Sequence, residues 1–369
     1  MLKILRLITV AVLAVAAVLS SSAPVSADTV VAAVPLGYQP QGLAVSPDGS
    51  RVYVATFDLA VGVVVVDTAT NTVAGTINLG TEVIDVAISP DGSRLYTANY
   101  AGNSVSVINT ATNAVLTTIS VPGLPTSIAI SADGLRVYTA NLNDSTLTAI
   151  DTTTNTVVGS VAVAADSQAV AVSPNGARAY VVGSSSNTVS VVNTATLTVI
   201  ASVPIVSGAY SIAASPDGAR VYVGSSSNVV EVIDTTTLAV IASVAAGNAV
   251  RGIQVSPDSS RVFVANYGPG TIDTLDASTN AVISTFSPSA TGDVYQLGVS
   301  PDGSVIYGSI IGDNTLAVIQ RPVAAPPASG AALPATGVEA AAGALLAGSL
   351  LLVGAVLVIR RRRIGAGSL

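Results

Sequence analysis

The side chains able to do chemistry in this chain are almost all aspartates, and their spacing is regular. Asp48, Asp91, Asp133, Asp217, Asp258 and Asp302 each stand two residues after a serine, at Ser46, Ser89, Ser131, Ser215, Ser256 and Ser300. A ring of such carboxylates could hold a hard cation or supply an acid–base pair. The spacing argues otherwise. Each Asp lies in a Ser-x-Asp-Gly-like segment, where its side chain bonds the neighbouring backbone, and one per unit is what a turn requires. Asp67, Asp151, Asp234 and Asp276 belong to a second recurring turn and read the same way. Arg51, Arg94, Arg136, Arg178, Arg220 and Arg261 all fall five residues after a turn serine. That predicts repeated pairing with nearby carboxylates, not a basic binding patch.

Nucleophilic and general-base chemistry usually recruits His, Cys or Lys. The chain has no His and no Cys, and its one lysine is Lys3. Of its glutamates, Glu82 and Glu231 lie in distant units. Four residues before each turn serine, the chain reads Gly42, Asp85, Ser127, Ala169, Ser211, Gly252 and Gln296. One acid in that set is too few for a calcium-like site. Neither a phosphate-cradling glycine loop nor a dinucleotide fingerprint is present. A catalytic reading needs a carboxylate pair, Asp58 with Glu82 or Asp85. We therefore assign no catalytic or metal-binding residue and no cofactor.

The elements that position these residues recur. With Ser173 the turn serines number seven, spaced 43, 42, 42, 42, 41 and 44 residues apart. Seven residues after each comes an aromatic: Tyr53, Tyr96, Tyr138, Tyr180, Tyr222, Phe263 and Tyr307. Each unit holds four short Val- and Ile-rich segments between turns, which suits strands with both faces covered. A repeat of this length with four strands predicts an all-β fold, a seven-bladed β-propeller. The seventh unit lacks a fourth strand, and residues 29–36 supply a surplus one ahead of the first unit. The ring is predicted to close by the N-terminal strand completing the last blade.

What the repeat leaves over is mostly aromatic. Tyr38, Tyr100, Tyr210, Tyr267 and Tyr295, with Phe57, fall in connections after second or fourth strands, which share one face of a propeller. Gln41, Gln168, Gln296, Asn143 and Arg251 fall there too, and Arg251 is the one arginine of the blades outside the repeat position. Tyrosine offers large contact area with a polar tip. Tyr38, Phe57, Tyr100, Tyr210, Arg251, Tyr267 and Tyr295 are thus the candidate partner-binding residues, for a saccharide or a protein. Residues 28–336 carry 20 acidic side chains against 8 Arg, about −12 in charge. Nucleic acid is a poor partner for such a surface.

The ends read as export and sorting segments. Residues 1–27 hold Lys3 and Arg6, an apolar run from Leu7 to Leu19, and Val25-Ser26-Ala27, the pattern of a signal peptide. Near the other end stand Leu333-Pro334-Ala335-Thr336-Gly337, an apolar stretch from Ala340 to Ile359, and Arg360 to Arg363. Twenty apolar residues can span a bilayer, with the arginines holding the tail inside.

Two resemblances follow. Tyr96-Thr97-Ala98-Asn99, Tyr138-Thr139-Ala140-Asn141 and Phe263-Val264-Ala265-Asn266, with the flanking Ser-Pro-Asp-Gly segments, resemble the YVTN β-propeller family over residues 29–320. The family's Asn is lost at Gly183, Ser225 and Ile310, and a turn Gly at Ser259. Residues 333–337 with their apolar and basic tail resemble the LPxTG sorting signal of Gram-positive surface proteins. That resemblance implies a sortase that cuts after Thr336 and joins it to peptidoglycan, membrane contact being limited to the sorting helix before cleavage.

The domain organisation expected is 1–27 signal peptide, 28–320 propeller, 321–332 Pro/Ala-rich linker about 35 Å long when extended, and 333–369 sorting signal. The function expected is a secreted, wall-anchored, non-catalytic scaffold for binding or adhesion. The alternatives are an exported carboxylate-dependent hydrolase or lyase and a purely structural wall or surface-layer component.

Overall fold

A computed structural model describes residues 28–322. The signal peptide, the linker beyond Pro322 and the sorting signal lie outside the described residues. Seven four-stranded antiparallel sheets make up the described chain. Blade 2 is representative: Val83–Ile88, Arg94–Asn99, Ser104–Asn109 and Ala114–Ser120, from inside to outside. The first strand of each blade packs beside that of the next, and the first strand of blade 7 packs beside that of blade 1. This is a closed seven-bladed β-propeller.

Closure happens where the missing strand predicted it. Thr29–Pro35 pairs antiparallel with Thr315–Gln320, which also pairs with Val305–Ile311. Blade 7 is therefore built from both ends of the described chain. Arg321, the first residue assigned to the linker, still belongs to this blade. Its guanidinium donates to the Gly303 carbonyl and lies 4.5 Å from the centre of the Phe263 ring.

The turns form as their residues dictate. In blade 2 the Ser89 hydroxyl donates to Asp91 Oδ1, the Ser93 amide donates to the same oxygen, and the Arg94 amide donates to Ser89 Oγ. Gly92 closes the turn at φ 71°, a conformation glycine adopts at no steric cost. Ser259, which replaces this glycine in blade 6, takes φ 60° and keeps the bond to the Ser256 carbonyl. The core lies between blades. Tyr53, Val65 and Ile77 of blade 1 meet Val86, Leu95 and Ile108 of blade 2, and every seam repeats this. Each buried aliphatic side chain stabilises by about 1.5–3 kcal/mol.

Two expectations need correction. Only two of the six repeat arginines pair with carboxylates, Arg136 with Asp151 and Arg261 with Asp276. Arg51, Arg94 and Arg178 donate instead to the carbonyls of Thr110, Thr152 and Thr235, each in the following blade, and Arg220 reaches Asn280 there. The long side chain spans the seam and satisfies a turn oxygen that the sheet leaves unpaired, so it ties blades together.

Second, Val and Ile do not mark burial in the outermost strands. Each carries a bulge, and the extra residue is Val31, Leu116, Val158, Ile200, Ile241 or Ile283, all about half exposed. Ala74 fills this position in blade 1. Bulges twist an edge and disrupt its ladder, which discourages pairing with another chain.

Candidate functional site

The innermost strands carry a bulge as well. Register shifts fall between Val83 and Asp85, Pro125 and Ser127, Ser167 and Ala169, Ala209 and Ser211, Val250 and Gly252, and Val294 and Gln296. The extra residues are Ile84, Thr126, Gln168, Tyr210, Arg251 and Tyr295. A bulge lets two consecutive residues face the same way. The extra residues, and their successors except Gly252, belong to the lining of a cavity of about 310 Å³ on the axis. Asp85, Gln168, Tyr210, Arg251, Tyr295 and Gln296 belong to its wall.

Tyr210 and Tyr295 line this cavity, and Tyr267 joins them through Arg251. The Arg251 guanidinium lies 4.1 Å from the Tyr210 ring centre and 5.7 Å from that of Tyr267. Tyr267 and Tyr295 meet edge to face at 6.4 Å. Phe57 and Tyr100, in loops of adjacent blades, pack at 5.9 Å. Burial pushes the Tyr295 phenol up, and the Arg251 charge partly offsets this. Tyr38 stands apart, packed against the core cluster of Val34, Leu36 and Val64. The shared face follows from hydrogen bonds between the two loop sets: the Phe57, Tyr100 and Tyr267 amides donate to the Gln39, Glu82 and Ala249 carbonyls.

Asp85 is the acid on the axis. Its carboxyl accepts from the Val86 and Ile128 amides, and Ser127 also bonds it. Protein surrounds it on the channel wall, and this burial raises its pKa to about 6 against those bonds. A Cβ at Gly42 would lie 2.3 Å from Asp85 Oδ1, so glycine makes room for the carboxyl. Asp58, offered as its catalytic partner, accepts instead from the Ala60 and Val61 amides of its own loop. Among the described residues no group of three or more acidic, His or Cys side chains could hold a metal.

Two supporting residues escaped the sequence reading. Glu231 accepts from the Val206 amide, and Asp273 accepts from the Gly247 amide, from Asn266 and from the Thr285 hydroxyl. Both carboxylates are buried. They hold the connections leading into Tyr210 and Arg251. The available signal was positional: they occupy the third-strand slot filled by Ser106, Thr148 and Ser190 in blades 2 to 4. The lost Asn of blade 5 is compensated at Ser225, whose hydroxyl donates to the Ser207 carbonyl and accepts from the Ser227 amide.

Comparison with known proteins places parts of this chain. Residues 26–122 match the family described as lactonase, 7-bladed beta-propeller, and residues 205–296 match the cytochrome D1 heme domain. Residues 325–365 match the LPXTG cell wall anchor motif. No curated protein matches. Among solved structures, the hydrazine synthase of Kuenenia stuttgartiensis is similar at 21% identity and a TM-score of 0.70, over 78% of this chain and 96% of that one. That is a likeness of fold. Of the usual haem ligands, His and Cys are absent from this chain and its one methionine is Met1, which leaves only tyrosine.

Proposed function

We propose, from the premise that this chain is a seven-bladed propeller carrying a cell-wall anchor motif, that it is a non-catalytic recognition scaffold displayed at the cell surface. The observation carrying this reading is the convergence of Tyr210, Arg251, Tyr267 and Tyr295 at the mouth of the axial cavity. Rigid aromatic side chains around one guanidinium supply contact area and orientation at small entropic cost. Asp58 and the turn aspartates are engaged in their own loops and turns, which favours binding over catalysis. A pull-down from wall extract with the full chain, wild type against Tyr100→Ala/Tyr267→Ala, tests it. The double variant should melt like wild type yet capture its partner at least tenfold less well. Equal capture by both proteins would leave the architectural alternative in front.

A second reading, a carboxylate-dependent hydrolase or lyase, draws on the raised pKa of Asp85 in the cavity. A proton-sharing enzyme needs a second group within reach. The bonding partners of Asp85 are two main-chain amides and Ser127, none of them a carboxyl.

A further inference from the structure

The most exposed large apolar side chain among the described residues is Leu59, at 62%, in the connection after Arg51–Thr56 of blade 1. Phe57, two residues before it, is 37% exposed and packs against Tyr100 of blade 2 with ring centres 5.9 Å apart. Apolar residues on a folded surface usually stand singly, and a group of them with a polar rim marks an interaction site. The rim here is acidic. Asp58 lies between Phe57 and Leu59, and the Glu82 carbonyl accepts from the Tyr100 amide, which sets Glu82 beside the same ring's main chain.

Charge decides what can cover this patch. The connections and strand ends of the loop face carry Asp58, Glu82, Asp144, Asp166, Asp293 and Asp313, against one arginine, Arg251. None of the six carboxylates is in an ion pair among the described residues. Both ion pairs, at Arg136 and Arg261, lie on the opposite face, where the Ser-x-Asp-Gly turns and every other arginine of the blades stand. Arg251 itself is stacked on Tyr210. An apolar patch among unpaired carboxylates repels polyanions and acidic proteins, and attracts a cation that also brings apolar side chains.

We infer that the loop face docks a basic polypeptide, an apolar side chain seating on Phe57, Leu59 and Tyr100 while arginine or lysine side chains pair with Asp58 and Glu82. This rests on reading the face as a recognition surface. Arginine suits both parts of it, because a guanidinium forks onto a carboxylate and also stacks on a ring. A cationic polysaccharide brings the charge without aliphatic side chains. The tether does not compete for the patch. Thr29 pairs with Gln320, and Gln320 with Val305 just after the Ser300 turn, so both ends of the described chain leave from the turn face.

Fluorescence anisotropy with labelled probes, on the full chain in mild detergent, tests the assignment. The probes are a short peptide of alternating arginine and leucine, its counterpart with glutamate for arginine, an oligoarginine of equal charge and a glucosamine oligomer. The arginine–leucine peptide should bind at least tenfold more tightly than the oligoarginine or the sugar, and the glutamate peptide should not bind. Its affinity should fall severalfold from about 0.1 to 1 M salt, as the Debye length shrinks from about 10 to 3 Å. Phe57→Ala/Leu59→Ser should weaken binding at least tenfold. Asp58→Asn/Glu82→Gln should weaken it severalfold and flatten the salt dependence, the new amide keeping an acceptor for the Ala60 and Val61 amides. Asp67→Asn/Asp234→Asn removes as much charge from the turn face, where Asn109 and Asn193 hold the same position in other blades, and should bind like wild type. All three variants should keep the wild-type melting temperature. The arginine–leucine peptide failing to bind at about 1 mM would overturn the assignment. So would oligoarginine or glucosamine binding equally well, or the two charge-removing pairs weakening binding alike. If the pull-down still depends on Tyr100 and Tyr267 while Asp58→Asn/Glu82→Gln captures normally, this assignment fails and the recognition reading stands.

Discussion

At residue scale, Asp85 and the turn aspartates show one side-chain type held in opposite ways. Burial raises the Asp85 pKa to about 6, so the folded protein keeps a proton that the unfolded chain releases near pH 4. Stability must therefore fall as pH rises from about 4 to about 6, by roughly 1.4 kcal/mol at most for each pH unit crossed, less what channel water screens. Chemical denaturation at pH 4.5 and 7 should show wild type losing about 1–2 kcal/mol more than Asp85→Asn between the two. Parallel losses would mean that Asp85 titrates as an ordinary carboxyl. At Asp91 the Ser89 hydroxyl and the Ser93 amide hold the pKa down at about 2, and the same arrangement governs Asp48, Asp258 and Asp302. Their contribution is present above pH 4 and is lost as pH falls toward 2.

At the scale of elements, glycine decides how closely innermost strands approach. A Cβ on residue 42 would meet Asp85 Oδ1 at 2.3 Å, its Cα at 2.8 Å and the Ile84 carbonyl at 2.9 Å. Gly42→Ala should cost about 1–3 kcal/mol, because a main-chain seam must open. At Gly252 the Gln296 Oε1, the Gln296 Cα and the Tyr295 carbonyl stand at 2.3, 3.0 and 3.0 Å, so Gly252→Ala should cost nearly as much. Thermal melts of the two variants test this, and either variant melting like wild type would refute it. The blades were legible because turn chemistry and the aromatic slot repeat at a nearly constant interval. Most of the face was legible too, because Phe57, Tyr100, Tyr210, Arg251, Tyr267 and Tyr295 fall outside what the repeat explains. The inner bulges were not. Strict alternation would send Tyr210 and Ser211 to opposite faces of their strand, and an inserted residue leaves no mark in hydropathy. Arg51 and Arg94 were misjudged for a related reason: a sequence period gives the neighbour within a blade and hides the one across the seam.

At the scale of the whole molecule, the ring depends on a strand from the far end of the chain. Deleting residues 28–35 strips Thr315–Gln320 of its Thr29–Pro35 partner and removes Val34 from its core cluster. The deletion should lower the melting temperature by well over 10 °C, about what a loss of several kcal/mol implies. An unchanged melt would show that the ring closes otherwise. Attachment makes its own claim, that Thr336 is the residue joined to peptidoglycan. Mass spectrometry of muramidase-released protein should find Thr336 on a wall peptide, whereas a full-length chain extracted only by detergent would exclude it. Wall attachment also gives blade 7 a mechanical role. Tension on the anchored end enters through Arg321 into Thr315–Gln320, a strand hydrogen-bonded on both sides. Fluid drag therefore loads two ladders together instead of peeling an edge strand, so the blade built from both ends of the described chain is also the one that carries the force.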